Sequence, residues 1–182
     1  MKKVLILLFS LMISFNSFGG DIKSLFGITL NDTAEKYVSS NYINSNKVKD
    51  NETLDGFFSL YSTDIITAIN PYFAEYWLTI DINNNIHSIQ GTEDYASINR
   101  CNEFLETLSS SLEERYEVDL EYDETSFPSG KSYRYSYYSS LNNCFAVQCN
   151  EEDDELEFNG MIIYLDSEDL LEARNKYYDS GL

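Results

Sequence analysis

Histidine is almost missing from this chain, with His87 the one example among 182 residues. Signatures that rest on histidine, such as His-Glu-x-x-His metal sites, have nothing to draw on, and His87 sits in a strand-like run with no ligand or nucleophile pattern beside it. Gly-x-Ser-x-Gly, Ser-x-x-Lys and a phosphate-cradling glycine loop are missing too. The sequence therefore predicts no catalytic residue, no metal ligand and no cofactor.

Positive charge is scarce as well. Twelve Lys and Arg stand against 31 Asp and Glu, a formal net charge of −19. Nucleic acid is excluded as a partner, because affinity for phosphates comes from Lys and Arg releasing counterions. Anionic lipid surfaces repel such a chain for the same reason.

Long apolar runs are confined to one place. Met1-Lys2-Lys3 precedes an apolar stretch from Val4 to about Ile13, and a stretch richer in small and polar residues follows from Ser14 to Gly20. That is the three-part layout of a secretory signal peptide, and it is shorter than the roughly 20 apolar residues a membrane span needs. Cleavage is expected after Gly19, giving a signal peptide over 1–19 and a single domain over 20–182, in a bacterial periplasm or secreted fluid, with no membrane insertion. Removing Lys2 and Lys3 lowers the basic count from 12 to 10 against 31 acids, so the mature charge is −21. Basic proteins are then the natural partners, approached faster through long-range attraction. Solubility alone accounts for the same charge. With 15 Tyr and 11 Phe, disorder is not expected.

Cysteine is odd in number, at Cys101, Cys144 and Cys149. Ile98, Cys101, Leu105, Leu108 and Leu112 recur at steps of three and four, which puts Cys101 on the buried stripe of a helix. In "CFAVQC", alternation groups Phe145, Val147 and Cys149 on the core face and Cys144 on the other. Cys144 and Cys149 stand about 16 Å apart in an extended strand, too far to bridge each other. The predicted disulfide is Cys101–Cys149, with Cys144 free and no basic neighbour in sequence to activate it.

The remaining chain reads as an α+β domain. "FGITLNDTAEKYVSSNY" looks like an apolar entry into a helix capped by Asn31 or Asp32, and Asn41 to Asp55 like a polar loop. "FFSLY" begins a strand region, and "YWLTIDI" with "IHSIQ" forms a hairpin across Asn83, Asn84 and Asn85. A helix from about Asp94 to Tyr116 follows, then "DLEYDETSFPSG" as an acidic connection and "YRYSYYS" as a strand. "CFAVQC" and "LEFNGMIIYLD" pair across an acidic turn, and a helix capped by Ser167 closes the chain. The expected order is α-βββ-α-βββ-α: about six antiparallel strands with helices on one face, in two topological halves.

The opening from Phe26 to Asp32 resembles the Phe-Gly-Ile-x-Leu-Gly-Asp start of small secreted bacterial α+β domains, namely the repeats of β-lactamase-inhibitor-like and BamE-like proteins. Asn31 stands where those openings usually carry Gly, and no functional residue is implied by the likeness.

Two stretches offer binding chemistry. Tyr133, Tyr135 and Tyr137 supply the amphipathic aromatic surface enriched at interfaces, with Arg134 as an anchor between them. A strand packing these tyrosines on the core is the better account of the same residues, and an exposed recognition face the lesser one. Glu151, Glu152, Asp153 and Asp154 are adjacent, so they radiate from a turn and do not present the alternating ligands calcium requires; a solvated turn or an interface rim is expected. The leading expectation is a non-enzymatic acidic binding protein, an immunity protein or inhibitor that blocks a basic partner. A carboxylate-dependent envelope hydrolase and a structural envelope protein of no specific partner are the alternatives.

Overall fold

Two runs of four strands, each preceded by a helix, join at their last members to make one sheet. The computed structural model describes residues 22–49, 54–61, 73–128, 130–152 and 159–179. The expected signal segment and the turn residues Asp153 and Asp154 lie outside these.

A small hairpin of β1 (Ser24–Leu25) and β2 (Ile28–Thr29) comes first, followed by a 3-10 turn at Ala34–Lys36 and helix α1 (Ser40–Asn46). The first run is β3 (Lys47–Val48), β4 (Phe57–Tyr61), β5 (Glu75–Asp81) and β6 (Ile86–Asp94). Helix α2 (Ile98–Tyr116) leads to β7 (Glu121–Phe127), β8 (Gly130–Tyr138), β9 (Cys144–Glu152) and β10 (Asn159–Asp166), and α3 (Glu168–Asp179) ends the chain. The sheet order is β3-β4-β5-β6-β10-β9-β8-β7, antiparallel throughout, so β6 and β10 form the seam between the runs.

The α+β class and the antiparallel sheet agree with the sequence pattern, whereas the expected six strands are corrected, among the described residues, to eight plus the two-stranded hairpin. The extra strands are β3, which has two residues, and β7, whose side chains are all exposed. A strand with no buried face has no apolar alternation to read. The first helix is also displaced. Asn31 takes φ +65 in a turn, and Asp32 spends its carboxylate on Lys36 Nζ and the Tyr37 hydroxyl. Ser39 instead caps α1, accepting the Tyr42 N–H at 3.2 Å, so the helix falls in the stretch expected to be a loop.

One face of the sheet holds the core. The stripe Cys101, Leu105, Leu108, Leu112 and Tyr116 of α2 is buried over β9 and β10, against Phe145, Val147, Met161 and Ile163. The predicted disulfide is present: Cys101 and Cys149 join α2 to β9 with Cα atoms 6.0 Å apart, and Cys144 is free and buried. Phe26 packs edge-on against Phe73 and Tyr76, in space that only a glycine at position 91 leaves open, since a Cβ there would lie 3.0 Å from the Phe26 ring. No described helix is long and apolar enough to cross a membrane.

Candidate functional site

Because strands alternate, the residues between those of the core point to a second face, and the antiparallel register lines them up in rows. One row runs Glu75, Thr92, Ile162, Gln148, Arg134 and Asp123 across β5, β6, β10, β9, β8 and β7. Its ends are exposed carboxylates and its four middle side chains are partly exposed. A neighbouring row begins with Tyr61, Trp77, Gln90 and Tyr164, where the Tyr61 and Trp77 rings lie 4.8 Å apart. The result is a mixed aromatic and amide strip about six strands wide with acids at its rim.

Arg134 is the cation in the middle of this strip. It reaches Asp123 at 3.4 Å, and its Nε has no hydrogen-bond partner among the described residues. Beneath it, burial pushes the Tyr164 hydroxyl up to about 12, so the phenol stays neutral where Arg134 meets it.

A third row contains Ser88, Asp166 and Cys144, all buried. Here α3 turns back onto the second face, and Arg174 on its second turn pairs with Asp166. That corrects the expectation of helices on one face only. The bulge between Thr79 and Ile80 turns His87 toward Phe57, whose ring it meets edge-on at 5.2 Å. His87 Nδ1 lies 2.9 Å from Ser167 Oγ and its Nε2 lies 3.6 Å from Asp81 Oδ2. Ser, His and Asp are thus in sequence of contact, but Ser167 is 2% exposed and its Oγ already accepts the Leu170 N–H as the cap of α3. The arrangement fastens α3 to β6 and to the β5–β6 turn, and offers a substrate carbonyl no approach. Among the described residues no group of His, Cys, Asp and Glu gathers as a metal ion would need.

Cys144 has basic neighbours that its sequence surroundings did not announce, since Arg134 and Arg174 both lower its pKa. Burial outweighs them and leaves the thiol above its ordinary range.

The residues singled out from sequence separate onto two faces. Tyr133, Tyr135 and Tyr137 lie half-buried against the core, and Arg134 points the other way. Glu151 is half-buried opposite Lys131, and Glu152 ends β9. Trp77 and Gln148 were not singled out, although period-two alternation in "YWLTIDI" and "CFAVQC" already put them on the non-core side. No protein family, curated protein or solved structure matches the chain.

Proposed function

We propose that this is an exported, non-enzymatic acidic binding protein that blocks a basic partner protein, as an immunity protein or an inhibitor of a secreted enzyme would. The observation that carries the reading is the row from Glu75 to Asp123: exposed carboxylates at both ends, with Ile162, Gln148 and Arg134 between them. Binding surfaces are built this way, with a desolvated centre inside a polar rim. A mature net charge of −21, from 10 Lys and Arg against 31 acids, brings a basic partner in quickly, while Trp77 and Arg134, residue types enriched at hot spots, slow its departure. Blocking is steric and needs no chemistry from the protein. Cleavage after Gly19 and the inhibitor-like likeness of the Phe26–Asp32 opening belong to the same proposal.

Retention of envelope proteins on the immobilised mature chain at low salt tests it. The expected result is a basic protein captured by the wild type at low salt, captured less when salt is present during loading, and held weakly by Trp77→Ala combined with Arg134→Ala. Retention of no basic protein, or equal retention by the double variant, defeats the reading.

A further inference from the structure

The two edges of the large sheet are finished differently. At one edge β3 covers β4 with two residues, and so short a strand offers little to pair with. At the other edge β7 is seven residues long, pairs with β8 alone among the described strands, and has every side chain exposed. Its register runs without a bulge from Glu121 opposite Ser136 to Phe127 opposite Gly130, and it contains no Lys or Pro. Short length, a bulge, Lys and Pro are thus missing as blunting devices, the acids of β7 are the one in place, and among the described residues no strand pairs with its outer side.

Charge says what fits there. Glu121, Asp123 and Glu124 are the charged residues of β7, and exposed Glu117 and Asp119 precede it. Arg134 meets Asp123 at 3.4 Å and Lys131 meets Glu124 at 3.8 Å, which leaves Glu121 and the two upstream acids unmatched among the described residues. A second copy of this chain is a poor occupant, because β7 against β7 sets these carboxylates against one another.

We propose that β7 takes up an extended basic segment of the partner protein as a ninth strand of the sheet. The idea rests on the binding reading above for the partner's charge, and adds where and how it docks. Main-chain bonds to the edge supply affinity, and lysines at alternate positions of the incoming strand face Glu121 and, before it, Asp119. The acids both discourage self-pairing and select the partner.

The probe is a capped peptide of about nine residues alternating Lys and Val, compared with the same peptide N-methylated at every residue, at roughly 20 mM salt. The methylated form keeps the charge and loses the N–H donors. Binding of the first should slow hydrogen exchange at the amides of 121–127, and N-methylation should weaken it by at least about ten-fold, as loss of a few main-chain bonds implies. Glu121→Lys should weaken it as well. Equal binding by the methylated peptide, or no binding, overturns strand addition. Protection around Trp77 and Gln148 with β7 unchanged overturns it too, yet leaves the binding reading standing, whereas protection at β7 with a basic protein retained equally by the wild type and the Trp77, Arg134 double variant removes only the open-face reading.

Discussion

Ser88 on β6 donates its hydroxyl to Asp166 on β10 at 2.5 Å, across the seam where the two four-stranded runs meet. The other carboxylate oxygen accepts from Arg174 of α3, so one buried side chain holds both halves and the last helix. Burial raises the Asp166 carboxyl above its ordinary range, against the pull of Arg174 and Ser88. Ser88→Ala strips a donor from this buried carboxylate and should cost about 1–3 kcal/mol in urea denaturation. An unchanged midpoint would show that the seam does not depend on it.

The raised Asp166 carboxyl also fixes a sign. Its contribution to stability is fully present below the unfolded-state pKa and is lost as pH rises through the higher folded value. Asp166→Asn removes that dependence, so the variant should gain relative to the wild type between acid and neutral pH. Thermal melts across that range check it, and a variant that loses ground toward neutrality contradicts the burial.

Asp81 slopes the other way. Burial lifts its carboxyl, but the Asn85 side-chain amide and the backbone N–H groups of Asn85 and Asn83 outweigh that and hold it below the ordinary range. A depressed folded pKa gives stability that is present above the unfolded value and disappears as pH falls through the folded one. Asp81→Ala should therefore cost about 1–2 kcal/mol near neutrality, by loss of bonds to a charged acceptor. The cost should shrink in strong acid. A pH-independent loss would assign the effect to packing of the turn.

Tyr135 and Trp77 should separate stability from binding. Tyr135 packs half-buried on the core, so Tyr135→Ala should lower stability by about 1–3 kcal/mol and leave retention of the partner intact while folded. Trp77→Ala should instead speed dissociation, by about 30-fold if it is worth the roughly 2 kcal/mol of a hot spot. Added salt should slow association and leave dissociation nearly unchanged. Surface-binding kinetics measure each rate, and a partner insensitive to Trp77 but lost with Tyr135 would place the contact on the wrong face.

How much of this was legible depends on which residues are buried on one side only. The α2 stripe, the Cys101–Cys149 pair and the Ser167 cap were readable because periodicity of three and four, strand alternation and capping chemistry are local. The opposition of Arg134 to its flanking tyrosines was readable by the same alternation. Which of the two faces stays open was not, since that depends on where α2 settles. Nor was β7, because seven exposed side chains carry no core-facing pattern. The clamp of His87 with Asp81 and Ser167 needed a bulge in β6 and a helix turning back, and neither leaves a mark in the sequence.

Cys144 tests the interior of the second face directly. It lies among Tyr138, Tyr164, Asp166 and two arginines, and the dominance of burial keeps its thiol protonated at neutral pH. A water-soluble maleimide should label no cysteine in the native protein, one in urea, and three after urea and reductant. Replacing Cys101 and Cys149 by serine should cost on the order of 4 kcal/mol for a loop closed over a separation of 48 residues, whereas Cys144→Ala should cost about 1 kcal/mol or less. Rapid native labelling at Cys144 would mean that α3 does not stay closed over the row it covers. The support that Arg174 and Asp166 give to the strip above would then be lost with it.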